Sequence, residues 1–353
     1  MSRFIAKRFA SFDAYVPGEQ PSDMQYIKLN TNESPFQPPD AVKAVIQGEI
    51  EKLNLYPNPD GVRLIKKLAE CYDVKSENVI IGNGSDELLA FSFLAFFEDG
   101  VVFPDITYGF YPVYAELYNV PYRQIPLRDD LTVDISDYRN IKKNVVIANP
   151  NAPTGIALEL HEIETITQSN PGHIVLIDEA YIDFGGSSAI QLTHKYDNLL
   201  VIHTFSKSRS MAGARLGFAI GSAPLIEDLN MMKYSFNPYN VNRLTQRIGE
   251  VALDEEDYYR EKRREIIANR EYAEKRLREL GFTTTNSKAN FLFGKHPDIG
   301  GLELYSRLKD KGVLVRQWNK PRIKDYVRIT IGTKAQIDAL LAAVTEILKE
   351  KNQ

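Results

Sequence analysis

Short apolar runs recur through the first two-thirds of the chain, at Val79–Ile81, Val101–Phe103, Val145–Ala148, Ile174–Ile177, Leu199–His203 and Leu216–Ile220. Their length and composition predict buried strands. Between several of them the apolar positions take helical spacing, at Glu87–Phe97, Tyr111–Tyr118, Leu158–Gln168 and Ser187–His194. Strands punctuated by helices predict an α/β fold, a mostly parallel sheet sandwiched by helices on both faces. Two more helices are expected upstream. One starts at Pro39-Asp40 behind an aspartate cap and repeats Val42, Val45, Ile46, Ile50 and Leu53. The other is Val62–Tyr72, after the turn-rich loop Asn54–Gly61.

The pattern changes at both ends. Residues 1–35 are polar, carry prolines and lack sustained periodicity, as expected of an arm lying over another element. After Asn242 comes a long charged, helix-favouring run, Asp254–Leu280, with its apolar positions on one face. An extended Asn290–Phe293, a helix at Leu302–Lys311, strands at Val313–Arg316 and Tyr326–Ile331, and a helix at Lys334–Glu350 follow. The expected organisation is an arm (1–35), a large domain (36–250) and a small α+β domain (251–353) joined through the long helix.

Composition narrows the functional classes. The 353 residues carry 43 Lys+Arg and 47 Asp+Glu, a formal charge of −4, which lacks the basic excess needed to bind a phosphate backbone. Nucleic acid is not an expected partner. The single cysteine, Cys71, cannot form an internal disulfide, and the five histidines are scattered without zinc spacing, so no metal is expected. No stretch reaches the ~20 apolar residues of a membrane helix, and residues 1–10 lack a signal-type apolar run. A cytoplasmic enzyme with no membrane partner is the expectation. The charged 254–280 run reads as a solvated face, Trp318 and the Tyr258-Tyr259 pair as packing, and Cys71 as a buried small hydrophobe.

Ligands of such sheets sit at the carboxyl ends of the strands, so the loops there are the place to look for chemistry. Leu199–His203 runs into Thr204-Phe205-Ser206-Lys207, with Arg215 beyond. A lysine alone is usually a surface residue, but this one has company. Ile174–Ile177 ends in Asp178-Glu179-Ala180-Tyr181, and Val145–Ala148 runs into Asn149-Pro150-Asn151-Ala152-Pro153-Thr154-Gly155. Val79–Ile81 leads into Gly82-Asn83-Gly84-Ser85-Asp86-Glu87 and a helix, whose first N–H groups suit a phosphate. There is neither a third glycine at dinucleotide-binding spacing nor a P-loop lysine. A small phosphorylated cofactor fits better, with an aldehyde for the lysine and a ring nitrogen for the aspartate. Pyridoxal 5′-phosphate has those groups.

These loops, with Leu29–Pro35, Thr107-Tyr108-Gly109 and Arg328–Thr333, stand in the order of the fold-type I pyridoxal-phosphate aminotransferases. Within them the chain most resembles the histidinol-phosphate aminotransferases. That resemblance implies a catalytic set of Lys207, Asp178 and Tyr181. Lys207 joins the cofactor aldehyde and then carries the proton of the 1,3-shift. Asp178 pairs with the ring nitrogen, Tyr181 and Asn151 reach the ring oxygen, and Tyr108 stacks on the ring. Gly84, Ser85, Asp86, Thr204, Ser206 and Arg215 hold the phosphate. Tyr56 reaches the phosphate in the other subunit, so a homodimer with shared sites is implied. The chain departs from the family pattern at Ala152, where an asparagine usually precedes Pro-Thr-Gly.

For substrate, the resemblance implies that Arg328 takes the glutamate carboxylate and that Arg316 helps hold the phosphate of histidinol phosphate. Tyr15 and Asn32 close the pocket, and Asn290 lies near the substrate. The implied reaction converts L-histidinol phosphate and 2-oxoglutarate to imidazole-acetol phosphate and L-glutamate. The alternatives are an aromatic amino-acid aminotransferase, an enzyme resembling threonine-phosphate decarboxylase, and a non-catalytic pyridoxal-phosphate-binding regulator. The last would need a DNA-binding segment, and none is visible.

Overall fold

The computed structural model describes residues 2–351. The elements in chain order are β1 (Ile27–Lys28), α1 (Asp40–Ile50), α2 (Val62–Tyr72), β2 (Val79–Asn83), α3 (Gly84–Phe96), β3 (Val101–Pro104), α4 (Phe110–Tyr118), β4 (Tyr122–Ile125), β5 (Asn144–Ala148) and α5 (Leu160–Ser169). Then come β6 (Val175–Asp178), β7 (Leu199–Thr204), β8 (Leu216–Ile220), α6 (Ala223–Phe236), α7 (Arg243–Asp254) and α8 (Glu256–Glu279). The carboxyl-terminal part adds β9 (Thr283–Thr284), β10 (Phe291–Lys295), α9 (Gly301–Asp310), β11 (Val313–Leu314), β12 (Arg316–Gln317), β13 (Tyr326–Thr330) and α10 (Lys334–Lys351).

Seven strands form one sheet in the order β2-β8-β7-β6-β5-β3-β4. The pairs among β4, β3, β5, β6 and β7 are parallel, while β8 runs antiparallel to both β7 and β2. The apolar runs are continuous because both faces are covered. Val145, Ile147, Val175, Ile177, Leu199 and Val201 pack with Val42, Leu64, Leu68, Ile163, Ile166 and Ile248. The alternate residues Val146, Leu176, Leu200 and Ile202 pack with Leu88, Phe91, Tyr111, Ile226 and Leu229 on the opposite face. Burying either set removes several large aliphatic side chains from water, each worth roughly 1.5–3 kcal/mol. The sheet is thus held rigid, and its strand ends are fixed platforms for the loops beyond them.

The carboxyl-terminal elements build a second core. An antiparallel sheet, β12-β13-β10-β9, is packed under α8, α9 and α10 through Ile266, Leu277, Leu292, Leu304, Val327, Ile329, Leu340 and Val344. The amino-terminal arm enters this unit, because β1 pairs in parallel with β11 and Leu29 is buried among its side chains.

Several expectations need correction. Ser187–His194 is a 3₁₀ turn over Ile190–His194 and not an α-helix. Val313–Arg316 splits into β11 and β12, which serve different sheets. Asp40 is the first residue of α1, with Pro39 as its cap and no side-chain capping bond. The charged run is preceded by a separate helix, α7, which ends at Asp254. Cys71 is exposed on α2 and not buried.

Candidate functional site

The carboxyl ends of β3, β5, β6 and β7 and the start of α3 converge on one edge of the sheet. There they line a cavity of about 700 Å³, closed on the far side by the arm (13–18 and 30–33) and by Arg316, Trp318 and Arg328. Among the described residues no three His, Cys, Asp or Glu side chains cluster as a metal site, and no helix is long and apolar enough to cross a membrane.

Asp178 is the last residue of β6 and lies buried at the cavity floor. Its Oδ2 accepts the Tyr111 hydroxyl at 3.0 Å and its Oδ1 accepts the Ala180 N–H at 3.2 Å. Burial nevertheless pushes its carboxyl up to about 6, because those two bonds do not replace the lost water. A cation is what this buried carboxylate lacks, and a protonated ring nitrogen would supply one.

Lys207 follows β7 and reaches the cavity half-buried, its Nζ 3.4 Å from the Thr31 carbonyl and 5.7 Å from the centre of the Tyr181 ring. The Tyr181 hydroxyl accepts Asn32 Nδ2 at 2.9 Å, which leaves its own proton to donate to a ring oxygen. Asn32 is itself pinned: Thr330 Oγ1 bridges its backbone N–H and its Oδ1, each at 3.0 Å.

At the other end, Ser85 and Asp86 open α3, whose first-turn N–H groups have no partner inside the helix. Thr204, Ser206 and Arg215 join them in the cavity wall. Arg215 donates Nη2 to Asp86 Oδ2 at 2.9 Å, and Tyr108 donates to Asp86 Oδ1 at 2.8 Å. The Asp86 charge is thereby taken up, and what it offers an anion is its backbone N–H. Gly84 sits just behind, at φ +75, and a Cβ there would lie 2.5 Å from Arg215 Nη2. Glycine is required for the arginine to approach the helix start.

The substrate side is cationic and aromatic. Arg328 is half-buried, donates Nη2 to the Asn30 carbonyl at 2.9 Å, and sits between the rings of Phe291 (5.3 Å) and Trp318 (5.1 Å). Its Nε is buried without a partner among the described residues. Burial pushes this guanidinium down from its ordinary value, so an incoming carboxylate relieves a charge that is already costly. Arg316 donates to the arm carbonyls of Val16 and Pro17 at 3.0 and 3.1 Å. It therefore ties down the arm as well as facing the cavity. Tyr15 stacks on Phe110 at 4.0 Å.

Of the residues expected here, four lie off the cavity. Asn151 spends its amide within the loop: Nδ2 donates to Ile106 O and Thr154 Oγ1, and Oδ1 accepts Thr107 Oγ1. Ala152 and Pro153 face the cavity instead. Asn290 is buried and donates to the Asn32 carbonyl, so it braces Asn32 and does not line the pocket. Gly84 acts by the space it leaves. Tyr56 is 76% exposed and stacked on Tyr239 at 4.4 Å, outside this chain's cavity. Two residues escaped the sequence reading. Trp318, taken as packing, walls the pocket, and Tyr111, taken only as a helix position, holds Asp178. An aromatic three residues after Tyr108 was the available signal for Tyr111.

A phosphorylated, electron-withdrawing ring with an aldehyde matches both ends of this cavity. On a seven-stranded α/β fold, that fits the fold-type I pyridoxal-phosphate proteins, the class to which aminotransferases belong. The sequence matches the family described as Aminotransferase class I and II over residues 24–344. The histidinol-phosphate aminotransferase of Brachyspira hyodysenteriae is 49% identical over 353 residues, covering 99% of this chain and 100% of that protein. The Lactococcus lactis subsp. cremoris (strain SK11) protein of the same name is 48% identical, covering 97% of each. Among solved structures, the histidinol-phosphate aminotransferase of Sinorhizobium meliloti in complex with pyridoxal 5′-phosphate superposes with a TM-score of 0.89 at 22% identity, covering 99% of both chains. The chain belongs to the class I and II aminotransferases and, within them, to the histidinol-phosphate aminotransferases.

Proposed function

We propose that this chain is a pyridoxal-phosphate-dependent transaminase that converts L-histidinol phosphate and 2-oxoglutarate to imidazole-acetol phosphate and L-glutamate, a step of histidine biosynthesis. The observation that carries the reading is the near-half identity to histidinol-phosphate aminotransferases over the whole chain. The cavity that joins Lys207, Asp178 and Arg328 supports it. When bound, pyridoxal phosphate supplies the aldehyde that receives the amino group and the ring that draws electrons from the carbon bearing it.

The chain's own groups do the rest. Lys207 Nζ carries the proton from the substrate carbon. Asp178 keeps the ring nitrogen protonated by offering a buried negative charge. Tyr181 donates to the ring oxygen while Asn32 fixes its direction. Ser85 and Asp86, through their N–H groups, with Thr204, Ser206 and Arg215 hold the phosphate. Arg328 binds the carboxylate of glutamate or 2-oxoglutarate through a pre-positioned fork. Arg316, with Tyr15, holds the distal phosphate and the arm over it. Asn290 acts on this set through Asn32, and Asn151 through the loop that positions Ala152.

The same reading includes a homodimer with shared sites. Leu53, Leu55 and Tyr56 are exposed on the loop between α1 and α2, Val62 is exposed at the start of α2, and Met231, Phe236 and Tyr239 are exposed in the second half of α6 and just beyond it. The Tyr56–Tyr239 stack links the two groups. A face this apolar is suited to a second copy, with Tyr56 directed to the partner's phosphate. We also divide the chain into a large and a small domain. The boundary expected at 250/251 falls inside α7, so we move it to Glu255, between α7, which packs on the large core, and α8, which carries residues of both cores. The enzyme is assigned to the cytoplasm on its biosynthetic role.

The test is product analysis with 2-oxoglutarate as acceptor. Glutamate formed in step with L-histidinol phosphate consumed is expected. Release of carbon dioxide from O-phospho-L-threonine, without glutamate formation, would replace this reading with a decarboxylase. A clear preference for L-phenylalanine would replace it with a broad aromatic transaminase.

A further inference from the structure

Tyr111 is fully buried and the chemistry above does not use it. It stands at the second position of α4, and its backbone N–H bonds back to the Tyr108 carbonyl at 3.3 Å. One helical turn therefore carries both tyrosines. Their rings meet edge to face at 5.7 Å and 83°. Phe103, in T-shaped contact at 5.7 Å, and Phe93, stacked at 6.4 Å, pack on the Tyr111 ring, so it has no room to turn. The hydroxyl of this locked ring donates to Asp178 Oδ2.

We infer that Tyr111 is a positioning residue for the cofactor ring: it holds Asp178 as the carboxylate partner of the ring nitrogen and braces Tyr108 against the ring face. This rests on the pyridoxal-phosphate reading of the cavity. A phenol that only donates favours the ionised carboxylate, and fixing one oxygen orients the other lone pairs toward the ring. Burial and the neighbouring carboxylate push the Tyr111 phenol far up, so it remains a donor at any working pH. The other titratable groups facing Asp178 are Asp86 from α3 and His203 from β7. Neither is in hydrogen-bond contact with it among the described residues, so Tyr111 is its one side-chain donor.

The experiment uses the intact chain and Tyr111→Phe, which keeps the ring and its aromatic contacts. Each is stripped of cofactor and titrated with pyridoxal phosphate and with its 1-deaza analogue, in which a C–H replaces the ring nitrogen. A hydrogen bond to a charged acceptor is worth enough for about a tenfold or greater weakening of pyridoxal phosphate binding. Binding of the deaza analogue should change by less than about twofold, since no ring nitrogen needs the carboxylate. In the cofactor-free chain, carbon-13 NMR of the Asp178 carboxyl should titrate at higher pH in the variant. Equal weakening for both ligands, or unchanged pyridoxal phosphate binding with an unmoved carboxyl titration, would overturn the inference. Failure of the unsubstituted chain to bind pyridoxal phosphate would overturn the functional reading, and the inference with it. If Tyr111→Phe does not fold, the carboxyl titration in a chain with Tyr111 replaced by 3-fluorotyrosine decides. A stronger donor must then lower the Asp178 titration, and an unmoved one overturns the inference.

Discussion

Arg328 holds a half-buried charge between two aromatic rings with its buried Nε unpartnered among the described residues, a position that costs free energy until an anion arrives. Arg328→Ala should raise KM for 2-oxoglutarate about a hundredfold, roughly 3 kcal/mol of lost charged hydrogen bonding, with a smaller effect on kcat. Steady-state kinetics would show it, and Arg328→Lys should recover only part, because an ammonium lacks the planar fork. Asp178 supplies a pH dependence. An unfolded aspartate ionises near about pH 4, but in the folded chain this carboxyl holds its proton to about 6. The folded form therefore binds the extra proton in that window. The stability of the cofactor-free chain should fall as pH rises from about 4 through 6, by roughly 3 kcal/mol at most. Urea unfolding at pH 4.5 and 7.5 measures it, and Asp178→Asn should remove that component. Lys207, Asp178 and Arg215 were legible in the sequence because each ends, closely follows or immediately precedes a buried strand, where a charged residue has few structural reasons to be. Asn151 and Asn290 misled because asparagine bonds backbone equally well, and both do so here.

Elements set how closely those residues approach one another. β8 lies against the turn from β2 into α3, and a Cβ on Gly217 would come within 2.4 Å of Ser85 N and 2.5 Å of Gly84 C. Backbone on both sides leaves nothing flexible to yield. Gly217→Ala should cost about 1–3 kcal/mol and weaken cofactor binding by displacing the helix start, both readable by unfolding and cofactor titration. Gly48→Ala, in α1 with nothing within 4 Å, should instead stabilise the chain by about 0.5–1 kcal/mol. The alternating pattern foretold six strands of the sheet but not β4, an edge strand whose Tyr122, Arg123 and Gln124 face solvent. Nor did it reveal the reversal of β8. Strand direction depends on the connection, and the loop carrying Lys207 and Arg215 makes that turn in eleven residues between β7 and β8. α6 was missed because Met231, Tyr234 and Phe236 interrupt a one-faced pattern; all three are exposed.

At the scale of the whole molecule, the cavity lies between two cores, and its far wall belongs to the carboxyl-terminal unit. Arg322 bridges the two, donating to Asp105 Oδ2 at 3.0 Å and to the carbonyls of Leu127 and Arg128 at 2.8 Å. The loop carrying Trp318 and Ile323 is thus tied to the strand end that leads into Tyr108. The two-part organisation was visible in the change of pattern after Asn242. That the arm joins the second unit through β1 and β11 was not, since a two-residue strand leaves no periodicity. The dimer is the prediction that belongs here. Sedimentation should give twice the chain mass, and Leu53→Glu with Leu55→Glu should shift it to the monomer and weaken cofactor binding. A monomeric parent chain with full activity would refute shared sites.

The most direct test of the central claim is the first half-reaction. The cofactor-loaded chain would be mixed with L-histidinol phosphate alone, without 2-oxoglutarate, and its visible absorbance followed by stopped flow. The account predicts rapid loss of the long-wavelength band, recovery on adding 2-oxoglutarate, and neither change in Lys207→Ala. An unchanged band with L-histidinol phosphate, or the same cycle in Lys207→Ala, would contradict it.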